Sequence, residues 1–321
     1  MKMVQETVRF LKLSLWRFFP KLYDRMVPAS RTRFSIGIFA GASPFDLNTA
    51  PAASNPVLSR KDITEVPVGT VADPFMIRVN GTWYMFFEVT NQIRHKGEIA
   101  LATSTDGFDW RFEQIVLEEP FHMSYPYVFE WQGDYYMIPE TGRAKSVRLY
   151  RAENFPLRWT YVSTLLEGSR FSDSSIFRFE DLWWLFSDAG ANARSPALHL
   201  YFATDLTGPW TEHPQSPLAG GDPHISRPGG RVIAIDGTPY RFAQDVYPVY
   251  GKDVRAFEIT ELSTTSYSER QVGDDPIIGP GNESWNRHGM HHIDPHRMED
   301  GSWLACVDGC IRQDSGNQAS E

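Results

Sequence analysis

The chain has 321 residues, 41% of them hydrophobic and 14% aromatic, which is enough apolar mass for a large packed core. Its net charge is −9, but residues 1–33 carry eight Lys/Arg against Glu6 and Asp24, so the remaining body stands at −15. An acidic body argues against nucleic acid as a partner. The two cysteines, Cys306 and Cys310, supply neither a disulfide framework nor a metal site on their own.

In chain order, the first element is a helix. Val4, Val8, Leu11, Leu15, Phe18 and Leu22 recur at spacings of 4, 3, 4, 3 and 4, an apolar stripe among basic residues. No run of about 18 uncharged apolar residues is present, so the stripe does not predict a spanning helix. Arg9 and Lys12 interrupt any signal-peptide core. The expectation is a cytoplasmic or membrane-peripheral protein. Its basic helix either lies on anionic lipid or a partner, or docks on the body.

Phe34 to Gly41 reads as a strand, followed by Pro44-Phe45, and residues 46–62 read as a connector. From there a hairpin is written five times: Asp73 to Glu88, Tyr125 to Glu140, Asp173 to Asp188, Arg227 to Gln244 and Asp294 to Asp308. Each has an apolar strand, a turn and a second, aromatic-rich strand. Asn80-Gly81, Gln132-Gly133, Asp236-Gly237 and Asp300-Gly301 supply four of the turns. A third strand and a turn before an aromatic recur between hairpins, with Trp110, Trp159, Trp210 and Tyr267 marking the aromatic. A period of roughly 50 residues, with four antiparallel strands per unit, predicts an all-β five-bladed propeller over residues 34–312. The chain ends too soon to complete the fifth blade, so the N-terminal strand is expected to close it. Residues 313–321 read as a polar tail.

Propeller geometry turns the repeat into a map. The inner strand of each blade starts at one face of the channel, and the second strand returns there. Asp73, Glu88, Tyr125, Glu140, Asp173, Asp188, Arg227, Gln244, Asp294 and Asp308 should therefore share one funnel, with Asp245 beside Gln244. So many carboxylates exceed what folding needs. Two opposed carboxyls suffice for acid/base work on a glycosidic bond, and crowding would keep one protonated. The catalytic candidates are Asp73, Glu140, Asp173, Asp188 and Glu88. Lys96, Arg227 and Arg231 are the basic counterparts, and Tyr125 and Tyr250 the aromatics placed to stack a sugar ring.

Residues 285–296 hold four of the nine histidines. If the strand is regular there, alternation puts His292 and Asp294 on the channel side and turns His291 away. Zinc needs three or four converging ligands, which this spacing does not supply. No metal or cofactor is expected. The anticipated ligand is a carbohydrate or glycoconjugate.

Two resemblances sharpen this reading. With Ala72-Asp73-Pro74-Phe75 opening the first blade, the chain resembles five-bladed furanosidase-type glycoside hydrolases. That implies Asp73 as base or nucleophile, with further acids from blades two and three. Here those positions are Tyr125 and Asp173, so the acid is expected to be Glu140 or Asp173, with Asp188 or Glu88 as a neighbour that tunes its pKa. Ser35-Ile36-Gly37-Ile38, Ser124-Tyr125-Pro126-Tyr127, Met137-Ile138-Pro139-Glu140, Gly229-Gly230-Arg231, Tyr240 to Asp245, His291-His292 and Val307-Asp308-Gly309 together resemble the N-terminal propeller of plant glucosamine inositolphosphorylceramide transferases. That resemblance implies a sugar-related role, as an enzyme or as an accessory module serving a glycosyltransferase, which the N-terminal helix could contact.

Overall fold

The computed structural model describes residues 2–27, 30, 32–192 and 195–312. The expected tail at 313–321 lies outside the described residues. The described chain forms five four-stranded antiparallel blades. Blade one comprises Val68–Val79, Thr82–Asn91, Lys96–Ser104 and Arg111–Leu117. Blade two comprises Ser124–Trp131, Asp134–Glu140, Ser146–Asn154 and Arg158–Glu167. Blade three is Ser172–Phe179, Leu182–Asp188, Leu198–Ala203 and the short Thr211–Glu212. In blade four the inner strand is broken into Arg227–Pro228 and Ile233–Ile235, followed by Thr238–Gln244, Val254–Leu262 and Tyr267–Gln271.

Blade five joins the chain ends. Ile293–Arg297 and Trp303–Arg312 come from the C-terminal side, and Thr32–Ser43 pairs with the latter from Thr32 opposite Arg312 to Gly41 opposite Trp303. The N-terminal contribution is larger than one strand. Asp46–Thr49, expected within a connector, forms the blade's outer strand. Its four residues lack the β-branched alternation that would have marked them, and pairing alone makes them a strand.

The hairpin turns follow from sequence. Asn80-Gly81, Gln132-Gly133 and Asp236-Gly237 place both central residues at positive φ, between +50° and +83°. This type I′ geometry matches the twist of the flanking strands. Between blades the core is aromatic and aliphatic. Phe75, Phe86, Tyr127, Trp159 and Trp183 pack into one continuous cluster across blades one to three. Ile36, Ile38 and Cys306 join blade five to blade one. Each fully buried side chain of this size contributes about 1.5–3 kcal/mol.

The N-terminal region forms two helices, Lys2–Phe18 and Pro20–Met26. Tyr23 is buried, but Val8, Leu11 and Phe18 are 46%, 59% and 74% exposed. Val8, Leu11 and Phe18 of the stripe are therefore open to solvent, whereas Leu15 is half-buried. No described helix is long and apolar enough to cross a membrane.

Candidate active-site funnel

The inner strands of blades one, two and three begin with the same local device. Asp73, Tyr125 and Asp173 sit at φ of +54°, +47° and +50°. Each lies in a bulge, where pairing slips between Ala72 and Phe75, between Ser124 and Tyr127, and between Ser172 and Ser175. A bulge re-aims one side chain and adds local twist. Asp tolerates left-handed backbone because its short polar side chain can bond locally, whereas Tyr is held there at a cost of order 1–3 kcal/mol. Three equivalent positions kept in this conformation form the base of the funnel.

One side of the site is built by blades one and five. The amide of Asp73 donates to Asp308 Oδ2 at 3.0 Å, and the amide of Tyr125 donates to Asp73 Oδ2 at 3.3 Å. His291 stands between the two carboxylates, with Nδ1 2.7 Å from Asp308 Oδ1 and Nε2 3.5 Å from Asp73 Oδ1. Burial opposes charge on His291, but Asp308 and then Asp73 overcome it and raise the imidazole to about 9. Burial lifts the Asp73 carboxyl well above the usual range, and His291 pulls against that lift. Burial pushes Asp308 up, but His291, His292 and the Asp73 amide together hold it low. One ligand atom each from Asp73, His291 and Asp308 lie within 4.8 Å of one another, so these are the described residues that could share a cation.

Blades two, three and four build the other side around Arg227. Its Nε donates to Asp173 Oδ2 at 2.6 Å, Glu140 Oε2 lies 3.7 Å from Nη2, and Asp188 Oδ2 lies 4.0 Å from Nη1. Gln244 Nε2 donates to the same Asp173 oxygen at 2.7 Å and to the Pro228 carbonyl at 2.8 Å. Asp188 Oδ1 accepts from the amides of Gly190 and Ala197, both at 2.8 Å. Burial, followed by the charge of Asp173, raises Glu140 to about 8, against a smaller opposing pull from Arg227. Glu88 is raised by burial and restrained by His122, whose Nε2 lies 3.6 Å away. Gly97 permits this approach: a Cβ there would meet Met123 O at 2.2 Å and Glu88 Oε1 at 2.7 Å.

Tyr250 roofs the site. It is 38% exposed, with its ring 5.3 Å from the Arg227 guanidinium and 5.2 Å from the His291 ring. Asp245 fixes the loop that carries it, accepting from His224 Nδ1 at 2.8 Å and from the Tyr247 amide at 2.9 Å.

Several expected positions take other places. Tyr125 is fully buried rather than at the rim, with its hydroxyl 2.9 Å from Ser175 Oγ and donating to Gly230 O at 3.0 Å. Asp294 and Arg231 pair with each other at 2.5 Å, and Arg231 Nη2 donates to Met76 O at 3.3 Å. Burial would lift Asp294, but Arg231 and His296 hold it low. Arg231 is thus a tie between blades one, four and five, lying over the Tyr127 ring at 4.8 Å. Lys96 is engaged by Glu119 O and lies 3.6 Å from Glu98 Oε1. His292 is buried between Phe75 and Tyr125, with Nε2 2.9 Å from Pro74 O, and burial lowers it to about 4.

His291, not His292, stands beside the first-blade aspartate. The inner strand of blade five begins at Ile293, so both histidines precede it and strand alternation does not apply to them. His122, three residues before Tyr125, was also unmarked. Its place just ahead of an inner strand was the available signal. In chemical terms the funnel combines a carboxylic acid that retains its proton near neutrality, a buried aspartate beside a cationic imidazole, and an arginine locked by a third carboxylate.

A family profile described as "Glucosamine inositolphosphorylceramide transferase 1, N-terminal" matches residues 28–310. Glucosamine inositolphosphorylceramide transferase 1 of Oryza sativa subsp. japonica is 34% identical over 307 residues, covering 88% of this chain and 41% of the relative. The Arabidopsis thaliana protein of the same name is 34% identical over 296 residues, covering 86% and 39%. The chain thus spans about two-fifths of the length of these relatives. Among solved structures, the fold is similar to β-1,2-mannobiose phosphorylase from Listeria innocua, with a TM-score of 0.63, 11% identity, and 86% and 96% coverage. It is also similar to a family 117 glycoside hydrolase from Zobellia galactanivorans, with a TM-score of 0.53, 14% identity, and 87% and 90% coverage. At these identities the likeness is one of fold. The sequence match extends over nearly the whole propeller, and the chain belongs to the family of the N-terminal domain of glucosamine inositolphosphorylceramide transferase 1.

Proposed function

We propose that the funnel binds a carbohydrate and acts on a glycosidic bond by carboxylate acid/base chemistry. The observation that carries this reading is Glu140: buried, raised to about 8, and contacted by Arg227 only at 3.7 Å. Such a group holds a proton at neutral pH and can deliver it to a leaving oxygen. Asp73 is the base or nucleophile once ionised, and the His291 cation 3.5 Å away favours that state. Asp173 positions Arg227, while Glu88 and Asp188 adjust the charge around the acid. Tyr250 offers the ring for a sugar face, and Gln244 holds Asp173 in place. The names of the relatives and of the structural neighbours support a sugar as the ligand.

A second reading rests on Asp73 itself. Burial raises it along with Glu88 and Glu140, and carboxyls displaced toward their protonated form donate hydrogen bonds to sugar hydroxyls without supplying a base. On that reading the propeller is a glycan-binding module that assists a glycosyltransferase. A glycan array and an aryl-glycoside screen on wild type, Asp73→Asn and Glu140→Gln separate the two. The catalytic reading expects hydrolysis by wild type, lost in both variants while Asp73→Asn still binds. Binding without hydrolysis by any of the three leaves the accessory module, and absence of binding removes both.

A further inference from the structure

The amphipathic N-terminal region leaves much of its apolar stripe exposed. Val8, Leu11 and Phe18 on the first helix are 46–74% exposed, and Phe19, Leu22 and Met26 continue the exposed surface at 62%, 47% and 64%. A monomeric soluble surface seldom leaves so many large apolar side chains together without an occupant. The family match begins at residue 28, so this arm lies outside it.

We infer that residues 2–26 form an arm that docks the propeller on an anionic lipid surface. Three observations select lipid over other occupants. First, the apolar residues are interleaved with Arg9, Lys12, Arg17, Lys21 and Arg25, opposed only by Glu6 and Asp24. That is the composition of a helix lying in the headgroup plane, apolar face down. Second, Phe18, Phe19, Pro20 and Leu22 line an open hollow of about 530 Å³ together with Lys21 and Arg25. Apolar side chains beside two cations match an acyl chain and its anionic headgroup. Third, the body at −15 is repelled by such a surface. Contact must therefore be made by the arm. Tyr23 of the second helix, at 1% exposure, is buried rather than part of this surface. The first helix, roughly 25 Å long at 1.5 Å per residue, lies along the surface and does not cross it.

The test is flotation of the full chain with phosphatidylcholine vesicles, with and without phosphatidylglycerol, alongside sedimentation velocity in the absence of lipid. Wild type should float with the phosphatidylglycerol vesicles and not with phosphatidylcholine alone, with binding weakened by salt. Replacing Arg17 and Lys21 by Gln should reduce partitioning about 30-fold, from about a fivefold contribution per surface cation. Leu11→Glu with Phe18→Glu should abolish flotation while the propeller's thermal melt is unchanged, which separates docking from folding. If wild type does not float, or floats equally with both vesicles, the inference is overturned. A lipid-free dimer abolished by the same pair of substitutions, without flotation, overturns it in favour of a second copy of this chain.

Discussion

Asp173 holds the Arg227 guanidinium at 2.6 Å, and Glu140 stands 3.7 Å from the same group, buried and beside the Asp173 charge. Glu140 is raised from 4.5 to about 8 in the folded state, so folding takes up a proton between those values. Its contribution is fully present below pH 4.5 and is lost as pH rises through 8, with a slope of up to about 1.4 kcal/mol per pH unit. His291, raised from 6.5 to about 9, adds a loss of the same sign over its own window. Glu140→Gln should therefore flatten the decline between pH 4.5 and 8, leaving the parts that Asp73, Glu88 and His291 contribute with the same sign. Urea midpoints at pH 5, 6.5 and 8.5 measure this, and parallel curves for wild type and variant would refute it.

Removing the cation should be costlier than removing one anion. Arg227→Met leaves Asp173 buried with only Gln244 and places Glu140 and Asp188 beside an uncompensated charge. Breaking a buried pair in this way costs about 3–5 kcal/mol. Adding Asp173→Asn should recover part of that loss, because the stranded charge is then gone. Urea unfolding of the single and double variants provides the comparison. A single-variant cost under about 1 kcal/mol would mean that water already screens the cluster.

The ring of hairpin ends was legible in sequence because strand period and turn chemistry are local properties. Asn80-Gly81 and Gln132-Gly133 fix where each second strand turns back, so Glu88 and Glu140 fall at the funnel by counting. The errors came where the chain leaves the regular strand. The bulges at Asp73, Tyr125 and Asp173 rotate those side chains off the alternation, and they send Tyr125 inward. The break between Pro228 and Ile233 carries Arg231 to Asp294, a partner 63 residues away that no local pattern names. His291 and His292 precede their strand and are placed by tertiary contacts alone. Asp46–Thr49 is a strand only because the ring closes around it.

The channel floor should depend on one hydroxyl and one missing side chain. Tyr125→Phe removes the bond to Gly230 O and the contact with Ser175 Oγ, for about 1–2 kcal/mol, with the ring left in place. Gly230→Ala should be worse. Its φ is +152°, and the new Cβ would meet Ile293 O at 1.8 Å, where Gly230 bridges to blade five. Because the obstructing atom is backbone, the blade itself must shift. Thermal melts should order the proteins as wild type, Tyr125→Phe, then Gly230→Ala, and a neutral Gly230→Ala would contradict the close approach of these two blades.

Closure of the ring by Thr32–Ser43 makes two neighbouring N-terminal stretches unequal in consequence. Deleting residues 1–27 removes the arm, whose Val8, Leu11, Phe18 and Leu22 are exposed, and should leave the cooperative melt nearly unchanged. Deleting residues 34–45 takes away the third strand of blade five, together with Ile36 and Ile38, both at 0% exposure. It also exposes the edge from Trp303 to Arg312 and frees Leu58, whose amide and carbonyl bond those of Ile36. The loss of the two isoleucines alone is about 3–6 kcal/mol, comparable to the whole stability of many domains. An unpaired ten-residue edge next to an exposed core also invites association with another chain. The expected result is no cooperative transition by circular dichroism and aggregation on sizing. A native-like melt in the 34–45 deletion would mean that the other four blades fold as a unit without closure.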